Sequence, residues 1–212
     1  MFRRRTALSV SATAGLLAAA PLLAACGSEA HPGAAALVDG KRITVSQLQA
    51  KVKDVRAAQA RSPQGDQLIM NTGRLSLATL NGMIFDEVLA RGAHDAGVTV
   101  TRRDVQRWRA QAEKQAGGAD RLKEMWLQQG IAPDEIDAMV RNQLLLDGVA
   151  QRLGADRGKP QGQQKLAQAL AKTSRSMGID VNPRFGKWDD HQVILGETKD
   201  PWITREPVKQ QA

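Results

Sequence analysis

Signals that start and stop helices recur along the chain and divide most of it into short amphipathic segments. Thr44 and Thr101 each precede a run with helical apolar spacing, and Gln47 and Asp104 follow them at the three-residue spacing of a capping box. Glycine, which ends helices in the left-handed conformation, follows the runs at Gly97, Gly117, Gly130, Gly154 and Gly178. The pattern predicts a mainly α fold with about six helices.

The apolar spacing also gives approximate helix bounds. We predict helices over 45–61 and 75–96, from the Thr101 cap to about 115, around 122–127, from Pro133 to about 154, and over 165–177. Between them, SPQGDQLIMNTGR (62–74) is expected to be a loop, and ADRGKPQGQQ (155–164) is expected to be a linker.

A small β element is predicted where the two ends of the folded body meet. Asp39-Gly40 is a two-residue hairpin signal between 36–38 and 41–43. A lone two-stranded hairpin is only marginally stable in water. The proline- and glycine-containing tail, 179–195, carries large apolar residues in extended patterns, including Trp188. We therefore expect the tail to pair with the hairpin and to pack on the helices.

The first 25 residues have the organisation of a secretory signal peptide. Arg3, Arg4 and Arg5 form a basic start, and residues 6–25 carry no charge. A membrane-spanning helix is the alternative, since the run is about long enough, but it is rich in alanine and interrupted by Pro21. A signal peptide, residues 1–25, is the favoured interpretation.

The apolar run ends at Leu23-Ala24-Ala25-Cys26, which resembles the lipobox of bacterial lipoproteins. The resemblance implies that Cys26 carries the lipid anchor, with acyl chains such as palmitate, and becomes the new N-terminus. It places the protein at the extracytoplasmic face of the cell membrane, in the cell envelope. Residues 26–34 then form a flexible stem. A twin-arginine export signal at Arg4-Arg5 fits less well than general secretion.

Composition argues against several other classes of function. Removing the signal peptide lowers the formal net charge from +8 to +5, a mild excess that suits anionic lipid headgroups. Nucleic-acid binding is not expected, because the chain has no tyrosine and only 3% aromatic residues. A single cysteine and three dispersed histidines give no metal-ligand spacing. We predict no metal, no cofactor and no catalytic residue.

Three further groups of residues are candidate sites. His94 beside Asp95 is expected to be a solvated helix end, and the adjacent carboxylates Asp189 and Asp190 are expected to point apart. The methionines could form an adaptable binding surface, although core positions are favoured for Met70, Met83, Met125, Met139 and Met177.

Three phrases carry a resemblance to a known family. AALVDGKRITVSQLQAKV, LNGMIFDEVLARGAHDAGVTVTRRDV and GIAPDEIDAMVRNQLLLDGVAQRLG occur in order between residues 35 and 154. They resemble the N-terminal domain of SurA-type and PrsA-type extracytoplasmic chaperones. The resemblance implies a helical domain over 35–205, with a small sheet joining the tail to the N-terminal hairpin, that binds unfolded secreted polypeptides.

The chain departs from that family at one place. Members often carry a parvulin-type prolyl isomerase domain between the closing helix and the final helix, where this sequence has only residues 155–164. A domain needs at least about 50 residues, so we expect no isomerase here.

These observations give three hypotheses for function. The first is a membrane-anchored, chaperone-like lipoprotein that binds unfolded or nascent exported polypeptides. The second is a non-catalytic adaptor for one envelope complex, and the third is a degenerate prolyl isomerase. Suppression of aggregation of unrelated proteins separates the first from the second, and an isomerisation assay separates the third.

Overall fold

The computed structural model describes residues 32–196. Within this range, seven α-helices run as α1 (Val45–Ala60), α2 (Gly65–Asn71), α3 (Leu75–Asp95), α4 (Arg102–Ala116), α5 (Ala119–Gln128), α6 (Ile136–Arg152) and α7 (Pro160–Ser176). Five short strands accompany them: β1 (Ala34–Val38), β2 (Lys41–Thr44), β3 (Asp180–Val181), β4 (Lys187–Asp189) and β5 (Ile194–Gly196). The predicted mainly α fold class is confirmed.

The small β element forms as expected. Strands β1 and β2 make an antiparallel hairpin, whose turn residues Asp39 and Gly40 have φ angles of 51° and 73°. Two positive φ angles are what a two-residue hairpin turn requires, and Asp and Gly tolerate them. Strand β3 of the tail pairs antiparallel with β1, aligning Ala36 with Val181, so the sheet order is β2-β1-β3.

Local sequence chemistry sets the starts of two helices. At α1, the backbone N–H of Gln47 donates to Thr44 Oγ1 at 3.1 Å, and Gln47 Oε1 accepts from the backbone N–H of Thr44 at 2.8 Å. The same reciprocal pair joins Thr101 and Asp104 at α4. Both predicted capping boxes are therefore present, and each satisfies amide groups that the first turn leaves without a partner.

The predicted loop over 62–74 is wrong, because α2 forms within it. Tertiary contacts support this short helix. Leu68 is buried, and Arg56 of α1 donates to the carbonyl oxygens of Ile69 and Thr72 at 3.2 and 2.8 Å. Gly65 permits the close approach of α2 to α1, since a Cβ there would lie 2.7 Å from the carbonyl oxygen of Gln59.

The predicted linker over 155–164 is shorter than expected, because α7 begins at Pro160. Proline suits the first turn of a helix, where its missing N–H costs no hydrogen bond. Gly162 then lets the turn fold back on the preceding loop, since a Cβ at this position would lie 1.9 Å from the carbonyl oxygen of Asp156. Residues 153–159 alone join α6 to α7. At the other end, β1 begins at Ala34, the last residue of the predicted stem.

The centre of the core is one face of α3. Leu80, Ile84 and Val88 on this face are fully buried beneath the sheet, α1 and the tail. The tail supplies Trp188, whose indole Nε1 donates to the buried Ser174 Oγ of α7 at 2.8 Å. The backbone N–H of Leu195 also donates to Asn81 Oδ1 of α3 at 2.8 Å. The tail therefore covers the core.

Candidate functional site

A second face of α3 remains open and forms one wall of a groove. The opposite wall is α6, while α1 and the α5–α6 connection close the sides. We name it the α3–α6 groove; its volume is about 230 Å³, and it is lined mainly by apolar residues, including Val55, Leu75, Ala78, Met83, Ile131, Ala132, Ala138 and Met139. Pockets that enclose a small-molecule ligand measure about 300–1,000 Å³. The groove therefore suits side chains of a polypeptide lying across it.

Gly82, at the middle of α3, keeps the groove deep. A Cβ at Gly82 would have no atom within 4 Å outside its own helix and chain neighbours, so packing does not require glycine there. Gly148 of α6 differs, because a Cβ there would lie 2.4 Å from Val98 Cγ1. Glycine inside a helix costs roughly 0.5–1 kcal/mol relative to alanine. At Gly82 the absence of a side chain leaves space in the groove.

Charged and polar side chains line the same groove. Lys51 Nζ of α1 lies 2.5 Å from Glu135 Oε1, so this ion pair joins two of the walls. Asn142 Nδ2 of α6 donates to Asp86 Oδ1 of α3 at 2.6 Å. The groove therefore combines an apolar surface with a few polar groups, which is the usual composition of a binding site.

Asp86, which lines the groove, has a raised pKa. Its side chain is exposed to solvent, yet the protein packed beside it raises the pKa of its carboxyl from 3.8 to about 6. Loss of hydration is the main cause; Lys51 and the hydrogen bond from Asn142 oppose it. Its second oxygen, Oδ2, accepts no hydrogen bond within residues 32–196.

The prediction that the methionines are core residues is correct for only some of them. Met177 is 4% exposed, but Met70 and Met125 are 73% and 46% exposed, so the prediction is wrong for these two. Met83 and Met139 are half-buried and face the groove from opposite walls. Their flexible side chains give the groove an adaptable surface.

A larger cleft lies on the other side of α6. It measures about 630 Å³ and lies between the α3–α4 loop, α4 and α6. Its charges are already engaged: Arg107 pairs with Asp104, Asp147 pairs with Arg157, and Arg152 donates to the carbonyl oxygen of Gly97 at 3.3 Å. We name this region the α4–α6 cleft; its lining is more polar than that of the α3–α6 groove.

The other sequence-based candidates lie apart from the groove. Cys26, the predicted lipid attachment site, lies outside the described residues. The side chain of His94 is 84% exposed beside Asp95, as expected for a helix end. Asp189 accepts the backbone N–H groups of Gln192 and His191, which lower its pKa.

Asp190 instead accepts a hydrogen bond from Ser174 Oγ at 2.6 Å, so the adjacent carboxylates Asp189 and Asp190 have separate partners. Among residues 32–196, no group of three or more His, Cys, Asp or Glu residues is placed to hold a metal ion. No helix in that range is long and apolar enough to cross a membrane.

Sequence reasoning did not identify the groove itself. One signal was present in the phrase LNGMIFDEV: Gly82 interrupts an otherwise strong helical run, which usually has a packing or functional reason. The pairing of Asp86 with Asn142 had no signal, because 56 residues separate them and only the packing of α3 on α6 joins them.

Fold and site together define a helical domain, closed by its own tail, with an open apolar groove. The family model of SurA-like N-terminal domains matches residues 1–150, and the chain belongs to this family. No curated protein and no solved structure matches the chain. The family has a chaperone-like fold, and SurA-like domains in general bind unfolded client proteins.

Proposed function

We propose that this protein is a membrane-anchored, chaperone-like lipoprotein that holds unfolded or nascent exported polypeptides in the α3–α6 groove. Its action is binding alone, without a catalytic step: apolar side chains of a client are shielded from water until the client folds. The lipid on Cys26 would keep this activity at the extracytoplasmic face of the cell membrane. Family membership and the open apolar groove support the proposal.

Gly82 is the observation that carries the proposal. Alanine would give a more stable helix at this position, and no neighbouring atom prevents it. A residue that lowers helix stability and leaves an apolar groove open is well explained if the groove is occupied by a ligand. The half-buried Met83 and Met139 on the facing walls suit clients of varied sequence.

The groove can be blocked without disturbing the core. In the full chain reconstituted in lipid nanodiscs, the Gly82→Leu variant should fold, because leucine favours helix and its side chain enters open space. It should lose most of its ability to suppress aggregation of unrelated unfolded proteins, measured by light scattering. The matched control is Ala110→Leu, which adds the same side chain to the exposed surface of α4 outside the groove.

Three outcomes are distinguishable in this assay. Loss of suppression in Gly82→Leu alone supports the proposal. Full suppression by Gly82→Leu contradicts it, because clients would then bind elsewhere. No suppression by the unmodified protein would favour the adaptor hypothesis, in which a single folded partner replaces unfolded clients.

The membrane anchor has its own test. Mass spectrometry of the mature protein should find an acylated Cys26 at the N-terminus, and Cys26→Ser should remove the lipid label and release the protein from membranes or leave its signal peptide uncleaved. At least two acyl chains are needed for stable anchoring, since each buried methylene contributes about 0.8 kcal/mol. An unmodified Cys26 in the mature protein would exclude the anchor without affecting the groove.

A further inference from the structure

The α3–α6 groove has a direction. Leu75 lies beside Gly130 at one end, with Leu75 Cδ1 3.1 Å from where a Cβ of Gly130 would be, and Asp86 is bonded to Asn142 at the other end. Eleven residues of α3 separate these ends, about 16 Å at the helical rise of 1.5 Å per residue. An extended peptide of about five residues spans that length.

The two ends differ in chemistry. The Leu75 end is apolar, with Val55, Ile131 and Ala132 beside it. The other end holds Asp86, whose Oδ2 accepts no hydrogen bond within the described residues and which remains in contact with solvent. A peptide bound along the groove would therefore contact apolar surface at one end and an available carboxylate oxygen at the other.

Asp86 is the acceptor that a cationic ligand would use, because the neighbouring charged groups form ion pairs with other residues. Lys51 of α1 attracts Asp86 electrostatically, but its Nζ forms an ion pair with Glu135 Oε1, at 2.5 Å. On α3 itself, Glu87 is paired with Lys41 at 3.1 Å. Asn142 of α6 engages only one oxygen of Asp86. A basic side chain on a peptide can therefore bind the second oxygen of Asp86 without displacing Asn142 or breaking the Lys51–Glu135 ion pair.

We propose that the α3–α6 groove selects extended polypeptide segments in which apolar residues are followed or preceded by a basic residue, with Asp86 as the group that binds the ammonium or guanidinium. This inference rests on the proposed function and names the class of client segment. Apolar side chains occupy the space beside Gly82, Met83 and Met139, and the cation reaches Asp86 Oδ2.

The raised pKa of Asp86 gives the selection a dependence on pH. A bound cation stabilises the ionised carboxylate, so the preference for basic segments is present above about pH 6 and falls as Asp86 becomes protonated. Lys51 and Asn142 lower the pKa of Asp86, and Glu135 and Glu87 raise it. Segments that are only apolar should bind at least as well at low pH, because a neutral Asp86 is easier to desolvate.

The experiment uses the full chain in nanodiscs and two fluorescein-labelled peptides measured by fluorescence anisotropy. Both contain Leu-Leu-X in a Gly-Ser context, with X either arginine or its neutral isostere citrulline. The unmodified protein should bind the arginine peptide about fivefold more tightly, as expected for an ion pair that is partly exposed to solvent. Asp86→Asn should bring the two affinities together.

Glu87→Gln is the matched control, because it removes the same charge from the adjacent position of α3, where the carboxylate faces Lys41. It should retain the preference for arginine. A pH series on the unmodified protein tests the same point without a variant: the preference should decrease between about pH 7.5 and pH 5.

The outcomes separate this inference from the proposed function. Equal binding of both peptides, abolished by Gly82→Leu, would overturn the role of Asp86 and leave the groove as a client site. A preference for arginine that persists in Asp86→Asn, or that does not change with pH, would also overturn it. If neither peptide binds, both proposals fail.

Discussion

The two faces of α3 show how one helix can serve folding on one side and binding on the other. Leu80, Ile84 and Val88 point beneath the sheet and the tail and are fully buried. Gly82 and Met83, between them in sequence, face the α3–α6 groove. Because positions three and four apart share a helix face, neighbouring residues in this segment of α3 lie in different environments.

The difference lies in what covers each face. The tail places Trp188 and Leu195 over the first face. The indole N–H of Trp188 donates a hydrogen bond to Ser174 Oγ, and the backbone N–H of Leu195 donates one to Asn81 Oδ1. On the second face no described side chain fills the space next to Gly82. Large apolar residues on the covered face therefore stabilise the fold, and small or flexible residues on the open face leave room for a ligand.

The largest expected effect is on the covered face. Trp188→Ala should lower the free energy of unfolding by roughly 3–5 kcal/mol, because it leaves a cavity above α3 and removes the donor to Ser174. Truncation after Gly178 should destabilise the helices further, since it removes β3, β4 and β5. Thermal melts followed by helical circular dichroism measure both.

Ile194→Ala is the control for this comparison, because Ile194 is 47% exposed in β5, which pairs antiparallel with the strand β4 that carries Trp188. Its midpoint should change little. An unchanged midpoint after truncation at Gly178 would mean that the tail is an appendage and that the covered face does not depend on it.

A second prediction compares two helical glycines. Gly148→Ala should destabilise the protein by about 1–3 kcal/mol, because the new Cβ overlaps Val98, whose β-branched side chain has little freedom to move. Gly82→Ala should instead raise stability by about 0.5–1 kcal/mol, because helix propensity improves and nothing is displaced. Urea titrations of both variants measure whether each change raises or lowers the free energy of unfolding. Destabilisation by Gly82→Ala would show that the open face of α3 is packed.

The smallest effect concerns Asp86 and its pH dependence. The pKa of about 6 lies above the ordinary 3.8, so folding disfavours the ionised form. This cost is fully present above about pH 6 and is relieved as the pH falls towards 4. Asp86→Asn should raise the melting temperature slightly at neutral pH and leave it unchanged near pH 4.

Glu87→Gln provides the reference for that measurement, since it changes the same net charge beside a paired lysine. Asp86→Asn should show a pH-dependent difference that Glu87→Gln lacks. Parallel pH profiles for the two variants would contradict the raised pKa of Asp86.

Elements with local chemical signals were predicted well from the sequence. The capping boxes at Thr44 and Thr101, the Asp39-Gly40 turn and the apolar spacing of α3 each depend on residues within a few positions of one another. The extended tail was also predicted, because its apolar residues needed burial and the N-terminal hairpin needed a third strand. Pairing of Ala36 with Val181 confirms that expectation.

Other features depended on specific contacts that local sequence patterns do not reveal. Helix α2 lies in a stretch with loop composition, and its last carbonyl groups are bonded by Arg56, which lies 13 and 16 residues away. The early start of α7 depends on Gly162 fitting against Asp156. Neither contact leaves a periodic pattern, so local propensity favoured a loop at both places.

The sequence by itself determined where most helices begin and end and which residues on each carry the apolar face, because caps, turns and spacing act over a few residues. Only the tertiary structure decided which faces are covered. The position of the tail over Leu80 and Ile84, and of α6 opposite Gly82, follows from packing between segments more than 40 residues apart. That packing buries one side of α3 and leaves a groove with Asp86 at its end on the other.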